Sequence, residues 1–510
     1  MKKISFIFLF LLAHGFAVSQ PQVQWVNRIG STGWDTPLFV KSDNVGNVYV
    51  TGGFNKLNIA YCTTVKYSYN GDTVWSRKFL APDNGNTAGY QLFFDDSLNI
   101  YISGRYILKY TPQGDLLYSR YYGCSTTEMC FDKTNDIVYA GRDQRVSAGL
   151  VLLKCNRNGD SLLRKTYPLP VSFTDPRGIV IDKKNNTIVT GQYYTGSSYD
   201  FITTKFDQNG NIIWYRTVNG TASAAYDDPA SIALDSLDNI IVTGTSEGVS
   251  GDNFYTVKYD SSGSVLWEQR YPAGGSGSED MKVDKAGNIY ICGITGVTKY
   301  ATLKYNSAGN LQWFQQVQGV GFPPSNSLVL DTTGNVYMAC NLNNSQGYSG
   351  YQVVKYTNNG NLIWNIVYPT SGIRAYYSTD IDVDKQENIF VTGEGDGPGN
   401  SYDYVTIRIN QTTGIITNET EFAKDFTLSQ NYPNPFNPLS RISYELKITN
   451  YVTLNVYDVN GRLVKELVNE KQNAGRYEVN FDGSGLPSGT YVYRLHVGEF
   501  SETKKMVLVK

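Results

Sequence analysis

The sequence is nearly without histidine. Only His14 and His496 occur in 510 residues, and the long repetitive stretch between them has none. That excludes a Ser-His-Asp triad, a Cys-His pair and imidazole-ligated metal there. Carboxylates, Tyr and Arg are the groups left for chemistry. Cysteine is also scarce: Cys62, Cys124, Cys130, Cys155, Cys292 and Cys340 show no CxxC or Cys/His metal spacing. Cys124 and Cys130 flank an expected turn, which leaves a local bridge open. Cys292 and Cys340 lie in strand-like runs and read as buried small hydrophobes. Excess charge is missing too: 44 basic and 46 acidic residues give a net −2, so bulk charge draws the chain to neither nucleic acid nor an anionic membrane. Beyond the first residues, no run is long and apolar enough to span a bilayer.

The first residues read as a secretory signal peptide, 1–19. Lys2 and Lys3 precede the apolar run 4–13, and Ala17-Val18-Ser19 sets small residues where a signal peptidase reads. Cleavage between Ser19 and Gln20 is expected, with an uncleaved anchor as the alternative. Gln20 is not Cys, which argues against a lipoprotein anchor.

What the chain does have is Gly (49) and Tyr (40), suited to tight turns and strands. It also repeats itself. An Asp, an Asn four later, an apolar run and a Gly nine after the Asp recur eight times, from DNVGNVYVTG (43–52) to DKQENIFVTG (384–393). Asp136 replaces the Asn in the third copy and Cys340 the Gly in the seventh. After each of the first seven comes a Lys, a Gly five later and usually an aromatic four after that, as in KFDQNGNIIW (205–214). The Asp segment is a turn, with Gly and Asn tolerating positive φ. The apolar run suits a strand buried on both faces, and the Asn-Gly centre suits a hairpin. Each unit of about 50 residues therefore holds about four short antiparallel strands, a propeller blade.

The expected fold is all-β, with about eight four-stranded blades over 20–418 and seven as the alternative. The eighth unit has Asn418 where an aromatic should stand. The segment QVQWVNRIG (22–30), with Trp25 placed as Trp364 is in NLIWNIVYP (361–369), looks like its missing outer strand. Pairing the two ends closes the ring and removes a free edge. The repeat resembles the secreted bacterial SBBP repeats, whose members show a D-x-x-G-N-x-Y-x-T-G run followed by D-A-F-V-x-K-x-x-x-x-G; here Asp200-Phe201 leads to Lys205, and Asp403-Tyr404 leads to Arg408. The resemblance covers about 22–420 and implies a fold more than an activity.

After a linker (419–427), residues 428–510 change character. Pro433, Pro435 and Pro438 exclude helix and central strand. Five strand-like runs follow, with a type I′ turn expected at Val459-Asn460-Gly461-Arg462. They read as a small Ig-like β-sandwich. Four motifs in order, NYPNPFNP (431–438), VYDVNGRLV (456–464), LPSGTYVYRL (486–495) and KKMVLVK (504–510), are similar to the type A sorting domain of type IX secretion. The resemblance marks Asn431, Tyr432, Pro433, Asn434, Pro435, Phe436, Asn437, Pro438, Gly461, Gly489 and Tyr491. It implies the type IX machinery as partner, and export to the medium or the outer surface of a Gram-negative bacterium. A plain accessory sandwich is the competing reading.

No motif asks for a cofactor or metal. The Asp turns supply too few converging oxygens for calcium. Asp260-Ser261-Ser262-Gly263 before Trp267 resembles both the sialidase Asp-box and the quinoprotein docking repeat, but its spacing fits neither. Aromatics on loops are the positive signal: Trp34, Tyr193, Tyr194, Tyr348, Tyr376 and Tyr377 are candidate binding residues, suited to stacking on sugars. The expected function is a non-catalytic binding or scaffold propeller taking a glycan or protein ligand at one channel end. A secreted glycosidase or polysaccharide lyase working through carboxylates or Tyr is the alternative.

Overall fold

The computed structural model describes residues 21–411 and 426–510, apart from 32, 57–58, 84, 144–148, 169–174, 221–225, 249–250, 273, 275–276, 297, 320–326, 344–348, 369–376, 398–400, 447–449, 460–461, 474 and 498–499. The signal-peptide residues Ser19 and Gln20, together with Tyr348, Tyr376 and Gly461, lie outside the described residues. The chain divides into two compact units, 1–414 and 415–510.

The first unit holds eight four-stranded antiparallel sheets, so the eight-blade count stands over seven. Blades 1 to 7 span 35–79, 89–120, 124–167, 175–218, 227–272, 278–318 and 327–368, each with its strands in chain order. Blade 8 takes three strands from 377–410 and its outermost strand, Gln22–Ile29, from the other end of the propeller. The first strands of successive blades pack against one another in a closed circuit, blade 8 on blade 1 included, and so surround the axis.

Strands alternate in direction within a blade. The first-to-second and third-to-fourth turns therefore leave at one end of the ring, here named the turn face. The second-to-third loops and the inter-blade connections leave at the other, the loop face.

The repeat letters build the turn face. Asp43 Oδ1 accepts the Val45 and Asn47 backbone N–H at 3.0 and 2.9 Å, and Asn47 Nδ2 donates to Oδ2 at 2.7 Å. The Asn thus serves by its amide; positive φ falls on the residue before it. That residue is Gly46, Gly287 and Gly334 in three turns, and Leu98, Asn135, Asn185, Asp238 and Glu387 in the other five. In blade 3, the Asp136 backbone N–H still donates to Asp132 at 3.0 Å, but its side chain cannot. Lys154 Nζ instead bridges the two carboxylates at 2.6 and 3.2 Å.

Among the described residues, a clamp of one kind joins blades 1 to 2, 4 to 5, 5 to 6, 6 to 7 and 8 to 1. In blade 4, Lys205 Nζ pairs with Asp182 at 2.8 Å and donates to the Ser261 carbonyl of blade 5 at 3.0 Å. Trp214 Nε1 donates to the same carbonyl at 3.2 Å, and its ring lies over Gly263, whose φ is +84° and whose Cβ would come within 2.8 Å of the indole. Lys258 and Trp267 share the Ser307 carbonyl, Lys304 and Trp313 that of Asn358, and Lys66 and Trp75 that of Pro112. The ring closes the same way. Arg408 and Trp25, from opposite ends of the propeller, both donate to the Tyr69 carbonyl at 2.9 and 3.0 Å. Blade 3 has Leu163 in place of the aromatic, and Tyr167 Oη reaches the Gly210 carbonyl at 2.5 Å instead.

The repeat Gly has a packing cause. A Cβ on Gly52, Gly141 or Gly244 would stand 2.2 to 2.3 Å from a first-strand carbonyl. Where Cys340 takes that place, the described first strand is only Ser327–Leu330 and pairs no further than Ala339. The expected turn between Cys124 and Cys130 is absent. Both lie on one strand, Cys124–Phe131, where six residues span about 20 Å, beyond disulfide reach.

The second unit is a sandwich. A three-stranded sheet (Phe426–Leu428, Leu439–Leu446, Gly475–Asp482) faces a four-stranded one ordered Leu463–Gln472, Asn450–Tyr457, Gly489–Val497, Phe500–Leu508. Ile442, Leu454, Phe481, Tyr493 and Met506 lie in its core.

Two substitutions test this reading. Trp214→Ala is expected to cost about 3–5 kcal/mol, read by guanidinium unfolding. Leu98→Gly removes a side chain from φ +60° and is expected to add up to about 1 kcal/mol. A destabilised Leu98→Gly would show that the leucine packs more than it strains.

Candidate functional site

The turn face is occupied by clamps, so the loop face and the channel mouth are the places left for a ligand. The first strands carry a bulge at an equivalent point in seven blades, between Pro37 and Phe39, Gly89 and Leu92, Thr126 and Glu128, Pro176 and Gly178, Pro229 and Ser231, Ser278 and Asp280, and Ser378 and Asp380. A bulge re-aims side chains. Four residues before each turn Asp, at that level of the first strands, stand Phe39, Gln91, Glu128, Gly178, Ser231, Asp280, Ser327 and Asp380.

Most of this ring is tied from blade to blade. Gln91 Oε1 accepts the Met129 N–H at 2.8 Å, Asp280 that of Leu328 at 3.0 Å and Asp380 that of Val40 at 2.9 Å. Toward the loop face stands a less constrained group. Arg177 lies 3.4 Å from both Asp175 and Asp228, and Asp228 Oδ1 is buried without a hydrogen-bond partner. Burial pushes Glu128 up to about 7, opposed by the Gln91 amide at 2.7 Å. Burial, with Asp228 nearby, pushes Glu279 up to about 7. Burial also lifts Asp380 to about 6 against its hydrogen bonds. A cluster with several carboxyls protonated near neutrality around one arginine can donate as well as accept hydrogen bonds, and can exchange protons. Among the described residues no group of three or more His, Cys, Asp or Glu is set to hold a metal ion. Among the described residues no helix is long and apolar enough to cross a membrane.

Of the aromatic candidates, Trp34 is 66% exposed, against Tyr402 at 5.6 Å. Tyr194 is 44% exposed and packs on Tyr199 at 5.0 Å; Tyr199 in turn meets Tyr226, 50% exposed, at 5.5 Å. Tyr193 turns instead to the apolar core between blades 3 and 4. Tyr377 is half-buried at the start of its strand. Tyr199, Tyr226 and Tyr402 were not among the sequence candidates. Their signal is an aromatic-Asp dipeptide, present at Trp34-Asp35, Tyr199-Asp200, Tyr226-Asp227 and Tyr402-Asp403. The channel carboxylates had no motif at all.

In the sandwich, the proline-rich segment clasps the last strand. Phe436 is buried on Phe481, its N–H donates to the Val507 carbonyl at 2.9 Å, and Val509 N–H returns to the Phe436 carbonyl at 3.0 Å. Asn434 Oδ1 accepts the Val507 N–H at 2.9 Å, and buried Asn431 is held by Tyr493 and Ser440 at 2.8 Å each. Tyr432 and its neighbours Pro433, Asn434 and Pro435 stay exposed, as do Asn437 and Gly489; Tyr491 is buried.

The carboxyls fix a sign for pH. Glu128 and Glu279 titrate higher in the fold than in the unfolded chain. Their contribution to stability is complete below about pH 4 and is lost as pH rises through about 7. Glu128→Gln with Glu279→Gln is expected to flatten the loss of stability between about pH 5 and 8, followed by urea unfolding. An unchanged slope would place the titration elsewhere.

Comparisons with known proteins add the following. An uncharacterised WD repeat-containing protein of Acanthamoeba polyphaga mimivirus is 23% identical over 360 residues, 53% of this chain. The match spans only 25% of that relative's length. A Bacteroides caccae protein of unknown function is 14% identical with TM-score 0.34, covering 56% of this chain and 94% of its own. A gluconolactonase of Xanthomonas campestris is 10% identical with TM-score 0.32, covering 75% and 100%. PorZ of Porphyromonas gingivalis, a surface component of the type IX secretion system, is 12% identical with TM-score 0.26, covering 93% and 87%. Residues 430–510 match the family model of the secretion system C-terminal sorting domain, so the clasped sandwich is the element that routes this chain out of the cell or to its surface.

Proposed function

We propose that the chain leaves the cell through the type IX machinery, after a leader at 1–19 takes it across the inner membrane. Outside, or held on the outer surface, it acts as a non-catalytic propeller that binds carbohydrate on its loop face. The observation that supports this is the division of the ring. Trp34, Tyr194 and Tyr226 stand exposed on the loop face, beside a channel mouth lined with carboxylates, while the opposite face is consumed by clamps. An aromatic face covers the C–H side of a sugar ring, and carboxylates accept its hydroxyls.

A second reading has its own observation. Glu128 and Glu279, both titrating near 7, have the acidity a glycosidase or lyase asks of a general acid.

A glycan array and a hydrolysis assay on the exported full chain separate the two. Binding without product supports the first. Product formation abolished by Glu128→Gln or Glu279→Gln would establish the second. Neither binding nor product would overturn both. Deletion of 426–510 is expected to hold the protein in the periplasm, and undiminished secretion would overturn the export route.

A further inference from the structure

Two junctions of the ring carry the same local structure. Between blades 8 and 1, Trp34-Asp35 opens the first strand of blade 1, and Tyr402-Asp403 opens the third strand of blade 8. Between blades 4 and 5, Tyr226-Asp227 and Tyr199-Asp200 do the same. Trp34 bridges Tyr402 in parallel fashion, and Tyr199 bridges Tyr226 likewise. The rings meet edge to face at 5.6 and 5.5 Å, with interplanar angles of 74° and 62°.

The aspartates beneath match too. Asp35 and Asp227 are fully buried and tie down backbone N–H groups, those of Ser31 in one case and of Gly220 and Glu247 in the other. Asp200 and Asp403 are buried beside them. Asp403 Oδ1 has no hydrogen-bond partner, and a Cβ on Gly30 or Gly397 would run into its carboxylate. These glycines and aspartates hold the aromatic pair in place.

The coincidence is confined to these junctions. Eight residues before the turn Asp, an aromatic-Asp dipeptide occurs in blades 1 and 5 and in no other blade of the sequence. Five residues before the clamp Lys or Arg, Tyr-Asp occurs in blades 4 and 8 and in no other. The junctions are four blades apart in a ring of eight, so they face each other across the channel mouth.

The geometry points to two equivalent sugar-binding subsites on opposite sides of the mouth, built to hold one repeating polysaccharide at two points along its chain. This rests on the carbohydrate reading above. Each subsite has an exposed ring, Trp34 or Tyr226, for a sugar face. Each also has a carboxylate close by: Glu394 Oε1 accepts the Thr36 hydroxyl at 2.5 Å, and Glu247 Oε2 the Tyr226 N–H at 2.8 Å. A repeated site calls for a repeated ligand. Two linked contacts raise affinity for a polymer well above that for its fragment.

Calorimetry on the full chain with xylohexaose, mannohexaose and cellohexaose, and with xylan, mannan and soluble cellulose ether, tests this. A stoichiometry of two is expected for the hexasaccharide that binds. Trp34→Ala or Tyr226→Ala should each reduce it to one with the remaining Kd unchanged, while affinity for the parent polymer falls at least about 100-fold. Tyr226→Phe keeps the ring and should keep both sites, which separates recognition from folding. One site in the unaltered chain, or loss of all hexasaccharide binding in either alanine variant, would overturn the paired subsites and leave the carbohydrate reading standing. No binding of any sugar, on these probes and on the array, would overturn both.

Discussion

The propeller depends on one interaction that recurs at five of its junctions: a cation and an indole of one blade share a backbone carbonyl of the next. Lys205 and Trp214 on the Ser261 carbonyl are the pattern. A third-to-fourth turn exposes a carbonyl that needs a donor, and two donors from the preceding blade converge on it. The cation is itself nearly buried and needs a counter-charge, which Asp182 of its own blade provides. Burial alone would push that carboxyl up, but the hydrogen bonds from Lys205 and Asn186 hold it below its ordinary range. Removing one member of such a buried pair strands the other, which is far more costly than the pair itself is stabilising. The clamp therefore works as a unit.

Closure uses the same unit. The outermost strand of blade 8 comes from residues 22–29 and brings Trp25, while Arg408 comes from the far end of the propeller. That junction is thus chemically like the others that carry the unit, whereas Lys355 of blade 7 reaches the Gln411 side chain of blade 8 in place of a turn carbonyl. Blade 3 departs most from the pattern and shows how much the unit tolerates: Lys154 replaces the missing amide, and Tyr167 reaches the neighbouring turn from a different position.

Spending one face on clamps frees the other. Loop-face connections between blades range from residues 121–123 to residues 80–88. Variation in length is where aromatic pairs and the channel-mouth carboxyls can accumulate without loss of the ring. The sorting domain follows a similar economy. Its prolines give up strand pairing of their own so that Phe436 and Asn434 can bind the last strand, leaving Tyr432 and the outer prolines turned to solvent.

By itself the sequence determined the blade, the closure and the sandwich, since turns, hairpins and buried strands are local and write themselves in short spacings. Asp43 to Asn47, Lys205 to Gly210 and Asn431 to Pro438 could be read that way. The partners of Lys205 and Trp214 could not, because they lie on the next blade, about 50 residues on. Nor could the carboxyls of the channel: Glu128 and Glu279 sit at ordinary strand positions, and only the bulges and the meeting of eight first strands bring them together. Tyr193 and Tyr194 are adjacent in the chain, yet strand alternation sends one into the core and the other to solvent. Tertiary structure alone decided that Trp34 and Tyr226 stand opposite each other, because a ring converts a separation of four blades in sequence into a position across its axis.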